Sequence, residues 1–347
     1  MSTAHGYAAF ACDSPLSPYV FDRREPGDHD IRIDISFCGI CHSDIHQARN
    51  EWGAASYPMV PGHEIVGRVT HVGRRVRKFK VGEFAAVGCL VDSCRKCPNC
   101  RKGLEQHCTQ FVSFTYGSVE RDGKTPTQGG YSSHIVVDSA YALTVASGQP
   151  LERVAPLLCA GITTYSPLKR FGARRGSRVG VLGLGGLGHM AVKLAAAMGS
   201  EVVVLSGSPA KRADAKRLGA HDFVLTSQAQ EMSKNAGRLD LIIDTVSAPH
   251  DVNAALALLK TEGVLALVGA SPTPLQVGPF ALIVGRRQIA GSLVGGIAQT
   301  QEMLDFCAKK KVLADVEVIA ARDINSAYER LLKSDVRYRF SIDLATL

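Results

Sequence analysis

The sequence has little that would tie the protein to a membrane, a secretory route or a fibrous architecture. It contains no apolar run near the roughly 20 residues that a membrane-spanning helix requires. Its first residues, MSTAHGYAAFACDSP, lack a basic leader and an apolar core of roughly 7–15 residues, so we predict no secretory signal and a cytoplasmic location. Long repeats, low-complexity tracts and disordered linkers are also absent, which leaves a globular protein without a membrane partner.

The charge is basic but not concentrated. The formal net charge is +8, and the densest basic stretches, RRVRKF at 74–79 and KKK at 309–311, are short and far apart. No RNA-binding or helix-turn-helix signature accompanies them. We therefore interpret them as solvated faces and expect no nucleic-acid partner.

The length and the pattern of elements predict two domains. A chain of 347 residues exceeds the size at which a single core stops growing. Residues 1–155 carry alternating stretches such as IRIDISF (31–37) and EIVGRVTHV (64–72), typical of an irregular β domain. Over 156–290, strands alternate with helices, which predicts a parallel, doubly wound α/β sheet. We expect 291–347 to finish that sheet and then return to the first domain.

A glycine-rich turn indicates dinucleotide binding. RVGVLG (178–183) reads as a buried strand, HMAVKLAAAMG (189–199) as a helix and EVVVL (201–205) as the next strand. Between them, Gly183-x-Gly185-x-x-Gly188 matches the Rossmann fingerprint, in which glycines let the backbone approach a pyrophosphate at a helix N-terminus. A merely tight connection is the alternative. The predicted cofactor-binding residues of the turn are Gly183, Leu184, Gly185, Gly186, Leu187 and Gly188.

The following strand predicts which dinucleotide binds. An NAD-binding site normally has Asp or Glu about 20 residues beyond the glycines, where it accepts hydrogen bonds from the ribose 2′-OH. Here the strand ends in SGSPAK, without a carboxylate and with Ser206, Ser208 and Lys211 available to a 2′-phosphate. We therefore predict NADP(H).

Four of the ten cysteines lie in one short stretch, DSCRKCPNCRKGLEQHC (92–108). In a reducing compartment, Cys94, Cys97, Cys100 and Cys108 favour a metal over disulfides. A 4Fe–4S cluster is the rival interpretation, but seven residues rather than three precede the last cysteine and threonine follows it. A zinc-ribbon binding module would not explain the glycine turn.

Motifs along the whole chain resemble a known family. GICHSDIH, VPGHEIVG, the C-x₂-C-x₂-C-x₇-C loop, LLCAGIT and GLGGLGHMAVKLA stand in the order found in zinc-dependent medium-chain alcohol dehydrogenases. More narrowly, the chain resembles the NADP-dependent cinnamyl-alcohol-dehydrogenase type of bacterial aldehyde reductase. The resemblance implies a GroES-like catalytic domain joined to a Rossmann domain. It also implies a homodimer joined through the nucleotide-binding sheets, as is common among the relatives.

The resemblance also implies two zinc ions per chain. Cys41, His63 and Cys159 would bind the catalytic zinc and leave one position open, whereas the four clustered cysteines would close a structural site. Glu64 would lie behind the catalytic metal, and Asp44 would orient the ligand histidine.

The implied reaction is reduction of aldehydes by NADPH, with zinc polarising the carbonyl. Ser43 would bond to the substrate oxygen and pass its proton towards His46; alternatively, Ser43 caps a helix beginning near Asp44 and His46 is merely exposed. Trp52 is predicted either in a substrate-pocket wall or in the core. The residues that the resemblance adds to the cofactor site are Thr163, Thr245, Gly269, Ser292 and Val294.

Two other functions stay open at this point. One is a polyol or secondary-alcohol dehydrogenase of the same superfamily. The other is a zinc- and nucleotide-binding protein without catalysis, against which the presence of all three catalytic ligands argues.

Overall fold

The computed structural model describes residues 1–347 and divides into two compact units. The first unit comprises Met1–Cys159 and Gly295–Leu347, and the second comprises Ala160–Val294. The domain limits predicted at 155 and 290 lie a few residues before these divisions. None of the helices combines the length and the apolar character needed to cross a bilayer.

The structure contains seventeen strands, most of them short. They are β1 (Ser2–Ala8), β2 (Ser17–Arg23), β3 (Asp30–Ile40), β4 (Ile65–Val72), β5 (Phe84–Val87), β6 (Leu90–Ser93), β7 (Val112–Phe114), β8 (His134–Asp138), β9 (Leu143–Thr144), β10 (Arg178–Leu182), β11 (Glu201–Ser206), β12 (Asp222–Leu225), β13 (Leu239–Asp244), β14 (Leu259–Leu267), β15 (Gln288–Gly291), β16 (Val316–Ala320) and β17 (Arg339–Asp343).

Eleven α-helices accompany these strands. They are α1 (His42–Ala48), α2 (Pro98–Arg101), α3 (Leu151–Val154), α4 (Ala160–Arg170), α5 (Gly186–Ala197), α6 (Arg212–Leu218), α7 (Ala229–Lys234), α8 (Val252–Ala257), α9 (Pro279–Ile283), α10 (Ile297–Lys310) and α11 (Ile324–Leu332).

The first unit is built on a seven-stranded sheet with the order β16-β17-β3-β4-β5-β9, to which β8 adds by pairing with β3. The long strand β3 is its centre, because its first half pairs with β8 and its second half pairs with β17. The pairing of β17 with β3 is antiparallel and sets Ile342 opposite Cys38 and Phe340 opposite Ile40. The C-terminal segment of the chain is therefore part of the sheet that leads into Cys41.

The second unit contains a parallel six-stranded sheet with the order β12-β11-β10-β13-β14-β15. The strands are rich in buried valine, leucine and isoleucine, as expected where both faces of a sheet are covered. The strand order reverses beside β10, and ligands of such folds bind where this reversal occurs. The predicted doubly wound parallel sheet is confirmed, and the glycine turn follows β10.

Candidate active site and metal centres

Three separate segments of the first unit bring the predicted catalytic ligands together. Cys41 follows β3 and occupies the N-cap of α1, His63 lies just before β4, and Cys159 follows the 3₁₀ turn Ala155–Leu158. The ligand atoms of these residues and of Glu64 all lie within 4.8 Å of one another, and all four residues are buried. The two sulfur atoms of Cys41 and Cys159 are 3.7 Å apart.

Asp44 fixes the orientation of His63. The Nδ1 of His63 lies 3.1 Å from Asp44 Oδ1, so it is assigned as the protonated nitrogen and leaves the Nε2 lone pair for a metal. Asp44 is fully buried and also accepts hydrogen bonds from Cys41 N at 2.8 Å, Gly62 N at 3.1 Å and Tyr131 Oη at 3.0 Å. Burial lowers the pKa of His63, but the charge of Asp44 outweighs it and raises that pKa well above its usual value.

A buried ion pair lies behind the ligands. The guanidinium of Arg339, at the start of β17, donates to Glu64 Oε1, and both side chains are almost completely inaccessible. Burial raises the pKa of Glu64, and the positive charge of Arg339 opposes this shift and favours the carboxylate. Glu64 Oε2 has no hydrogen-bond partner. One carboxylate oxygen is thus engaged, and the other is a buried acceptor at the edge of the ligand group.

The surroundings of the Cys41 thiol favour its deprotonated form. Its hydrogen bond with Cys159 and the cation of Arg339 hold the pKa of Cys41 well below its usual range, although burial opposes them. Thiolates are the form in which cysteine binds metals. Arg339 therefore stabilises negative charge both at Glu64 and at this ligand.

The donor set fits zinc. Two thiols and an imidazole are zinc ligands, and sulfur atoms at roughly 2.3 Å from a tetrahedral zinc lie about 3.8 Å apart. The separation of 3.7 Å between Cys41 Sγ and Cys159 Sγ agrees with this value. Three protein ligands with an open fourth position are the arrangement of a catalytic zinc site.

The second cluster holds all four predicted cysteines around α2. Cys97 Sγ lies 3.5 Å from Cys100 Sγ and 3.8 Å from Cys108 Sγ, and Cys94 Sγ lies 3.8 Å from Cys100 Sγ. All ten cysteines of the chain are free, so none forms a disulfide. Hydrogen bonds from backbone N–H groups, that of Cys100 first, lower the pKa of Cys97 to about 5. Four sulfur atoms within 4.8 Å of one another, with these three pairs at 3.5–3.8 Å, fit a closed tetrahedral zinc site.

Helix α1 carries both residues of the predicted proton relay. The Ser43 hydroxyl lies 3.6 Å from Cys41 Sγ, and Nδ1 of His46 pairs with the carboxylate of Glu51. Helix α1 begins at His42 with Cys41 at its N-cap, so the alternative in which Ser43 caps the helix is wrong. The cause is the Asp44 carboxylate, which accepts a hydrogen bond from Cys41 N and completes a capping box with its N-cap two residues before Ser43.

Trp52 lies on the surface beside His46. Its ring lies 5.2 Å from the ring of His46, and 55% of the residue is exposed. The core interpretation of Trp52 is therefore wrong. Its exposed ring lies next to the relay histidine.

The glycine turn has the geometry that the fingerprint requires. Gly183 has a φ of +89°, and a Cβ on Gly188 would collide with Gly183 O, so α5 packs closely on the end of β10. Gly185 is the N-cap of α5 and has open space where a Cβ would point. Leu184 is buried, whereas Gly186 and Leu187 form the first residues of α5. The free N–H groups at the start of α5 can thus donate hydrogen bonds to a bound anion.

The other predicted cofactor residues of the second unit lie at strand ends or on a buried helix. Thr245 Oγ1 donates to Leu182 O at 2.8 Å, and Gly269 packs against the backbone of Val246. Ser292 N donates to Leu267 O at 3.1 Å, and Val294 has a φ of +36°. Thr163 is buried in α4.

At the end of β11, Ser206 Oγ accepts a hydrogen bond from Ser208 N at 3.2 Å. Ser208 is the N-cap of the 3₁₀ turn Pro209–Lys211, which leads into α6. No carboxylate stands between Ser206 and Lys211. The site predicted for a 2′-phosphate is therefore a turn of hydroxyl and backbone groups.

Several residues around the metal site were not predicted. Arg339, Tyr131 and Glu51 contact predicted site residues, and the Cys89 thiol interacts with Cys159. The available signal for Arg339 was a basic residue in the otherwise apolar strand RFSID, and for Glu51 its position five residues after His46. Tyr131 and Cys89 carried no local signal.

Comparisons with known proteins agree with this arrangement. Residues 27–147 match the model of the alcohol dehydrogenase GroES-like domain, and residues 186–309 match that of the zinc-binding dehydrogenases. The NADP-dependent alcohol dehydrogenase C 1 of Mycolicibacterium smegmatis is 54% identical over 348 residues, covering 100% of this chain and 99% of the relative. The aldehyde reductase YahK of Escherichia coli is 52% identical, covering 98% and 97%.

A solved structure also matches this fold over nearly the whole chain. A cinnamyl alcohol dehydrogenase of Sorghum bicolor superposes with a TM-score of 0.96 at 49% identity, covering 99% of this chain and 98% of that one. A GroES-like domain and a Rossmann sheet, together with two groups of residues suited to bind a metal ion, are the features of a zinc-binding dehydrogenase. The chain belongs to the zinc-dependent medium-chain alcohol dehydrogenases, and it is an oxidoreductase.

Proposed function

We propose that this chain is an NADP(H)-linked aldehyde reductase, with alcohol oxidation as the reverse reaction. The observation that carries the proposal is the convergence of Cys41, His63 and Cys159 on one point with a fourth position left open. The four-cysteine loop has no such opening. The reaction therefore belongs to the scattered ligand set, and the loop is a structural site.

When bound, zinc supplies a Lewis acid for the substrate carbonyl, and NADPH supplies the hydride. The chain supplies the proton. Ser43 and His46 stand three residues apart on α1 and so share one side of the helix, with the Ser43 hydroxyl beside the Cys41 ligand. With Nδ1–H donated to Glu51, His46 keeps Nε2 as the acceptor through which a proton leaves or enters.

The buried groups around the ligands keep this chemistry in one geometry. Asp44 holds the tautomer of His63, and Arg339 holds Glu64 and favours the thiolate of Cys41. All five of these side chains are buried and therefore shielded from solvent. We assign catalysis to the first unit, Met1–Cys159 with Gly295–Leu347, and dinucleotide binding to the second unit, Ala160–Val294.

The preference for NADP(H) follows from the end of β11. Ser206 and Ser208 offer hydroxyl and N–H groups to a 2′-phosphate, Lys211 adds a cation, and no carboxylate repels the phosphate. The relatives that carry NADP in their names support the same choice.

We also propose a homodimer and a cytoplasmic location. Helix α9 exposes Phe280 and Ile283 at 75% and 65%, next to Val284 at 79%, and β15 is an edge strand of the parallel sheet. Exposed apolar side chains and an open edge in the same unit fit a second copy of the chain. Thiol ligands in two metal sites suit a reducing compartment. Replacing Phe280 by Lys should shift the mass measured by light scattering to that of a monomer, with zinc content unchanged.

The function is tested by a screen that follows the loss of NADPH absorbance. Aliphatic, aromatic and α,β-unsaturated aldehydes are compared with ketoses, and NADPH is compared with NADH. We expect aldehyde-dependent oxidation of NADPH, strongest with aromatic or cinnamyl-type aldehydes, and much weaker use of NADH. Preferential turnover of sugars would favour the polyol dehydrogenase alternative. An inactive protein with two zinc ions bound would favour a binding protein without catalysis.

A further inference from the structure

The four-cysteine loop is connected to the core of the first unit by a chain of hydroxyl groups. Ser93, the last residue of β6, is completely buried, and its Oγ lies 3.2 Å from Cys100 Sγ. The hydroxyl of Tyr141 lies 2.6 Å from the same Ser93 Oγ. Tyr141 is itself buried and packs in the apolar core beneath the loop.

The direction of these hydrogen bonds follows from counting donors. A serine hydroxyl has one hydrogen to donate and two lone pairs to accept with. The backbone N–H of Arg95, 3.3 Å from Ser93 Oγ, can only donate. A metal-bound thiolate of Cys100 has no hydrogen and can only accept. Ser93 must therefore donate to Cys100, and the remaining lone pair of Ser93 must accept from the Tyr141 phenol.

We propose that Tyr141 and Ser93 form a directed hydrogen-bond chain, Tyr141 to Ser93 to Cys100, that positions the Cys100 sulfur and helps to retain the metal of the four-cysteine loop. Both are positioning residues that act on the metal through Cys100. The inference rests on the four cysteines as zinc ligands and is independent of the reaction at the other site.

Electrostatics explain why this loop needs such a donor. Four thiolates around Zn²⁺ carry a net charge of −2, and donors to sulfur spread that charge. Cys94 and Cys97 accept from backbone N–H groups, those of Cys97 and Cys100 at 3.3 and 3.5 Å.

The Arg95 guanidinium lies against the ring of Tyr141. The guanidinium of Arg95 lies 5.0 Å from the ring centroid of Tyr141. It pairs with Asp92 at 2.9 Å and with Asp138 at 2.8 Å. The Tyr141 ring therefore has a fixed place between the apolar core and Arg95, so that its hydroxyl stays directed at Ser93.

The test compares zinc retention in the full-length holoenzyme and three variants. Ser93→Ala removes the donor to Cys100, and Tyr141→Phe removes only the phenol hydroxyl while keeping the ring. Ser113→Ala is the matched control, because Ser113 is equally buried on the neighbouring strand β7 but donates to Val119 O instead of a cysteine. Each protein is mixed with excess EDTA, and protein-bound zinc is counted over time after rapid desalting.

We expect the zinc of the loop to leave roughly tenfold faster in Ser93→Ala, as for other groups that hydrogen-bond metal ligands. Tyr141→Phe should give a smaller increase of about two- to threefold, because Ser93 can still donate without the polarising phenol. Ser113→Ala should match the wild type. Equal release from wild type and Ser93→Ala, or equal acceleration in Ser113→Ala, would overturn the proposal.

A spectroscopic measurement separates this role from general loosening of the loop. With Co²⁺ in place of zinc, a hydrogen bond to a thiolate lowers the energy of the sulfur lone pairs. The sulfur-to-cobalt charge-transfer band should therefore move to longer wavelength in Ser93→Ala and less so in Tyr141→Phe. An unshifted band in both variants would overturn the proposal, and Tyr141→Phe still decides the matter if Ser93→Ala does not fold.

Discussion

Replacing Asp44 by Asn should damage both the fold and the catalytic metal site. The carboxylate accepts four hydrogen bonds, from Cys41 N, Gly62 N, His63 Nδ1 and Tyr131 Oη, and it is fully buried. An amide offers only one oxygen. In either orientation its NH₂ group must face at least one backbone N–H, that of Cys41 or that of Gly62, which cannot turn away.

The size of the effect follows from these contacts. With the NH₂ group towards Cys41, the Tyr131 hydroxyl can rotate to accept, so one fixed donor is left unpaired. Breaking a buried, hydrogen-bonded charged group costs about 3–5 kcal/mol of unfolding free energy. Loss of the charged partner of His63 should also weaken catalytic zinc binding by roughly 10–100-fold.

The assay combines urea unfolding with zinc competition, and Tyr131→Phe is the matched comparison. That variant removes one of the four hydrogen bonds but keeps the charge, so it should cost about 1.5–3 kcal/mol. The order of unfolding free energies should be wild type, then Tyr131→Phe, then Asp44→Asn. An Asp44→Asn protein within about 1 kcal/mol of the wild type, with unchanged zinc affinity, would refute the reasoning.

Three other substitutions test separate parts of the structure. Arg339→Met leaves Glu64 buried without its partner and should cost about 3–5 kcal/mol in urea unfolding, whereas an unchanged midpoint would contradict the ion pair. Gly188→Ala introduces a Cβ that collides with Gly183 O, so calorimetry should show weaker NADPH binding at unchanged zinc content; equal affinity would show that close packing of α5 is not needed. Burial lowers the pKa of His134 to about 4, so the stability that neutral His134 contributes is complete above pH 6.5 and is lost as the pH falls through about 4. His134→Gln should therefore unfold with a flatter pH dependence between about 4 and 6.5, and curves of equal slope would count against it.

What the sequence could predict was local in the chain. The strand, the turn and the helix around Gly183 and Gly188 are contiguous, so spacing alone indicates their geometry. The same holds for the four cysteines of the loop. Cys41, His63 and Cys159 are far apart, and only the family resemblance could bring them together.

The unpredicted residues depend on tertiary contacts. Arg339 lies 275 residues after Glu64, and Tyr131 lies 87 residues after Asp44. The antiparallel register of β17 against β3 brings the first pair together, and no periodicity in either strand specifies that register. The alternative in which Ser43 caps α1 arose because cysteine is not a usual N-cap residue, although Asp44 at the third helical position is the signal of a capping box.

The central claim is that Cys41, His63 and Cys159 form the catalytic zinc site, whereas the four-cysteine loop forms a separate structural site. Counting zinc in a Cys159→Ser variant tests this claim most directly. The variant lacks one ligand of the catalytic set and keeps all four cysteines of the loop. The purified, folded protein should contain one zinc ion per chain, against two in the wild type, and should not oxidise NADPH with aldehydes. Two zinc ions with normal turnover, or loss of both ions with a folded chain, would contradict the account.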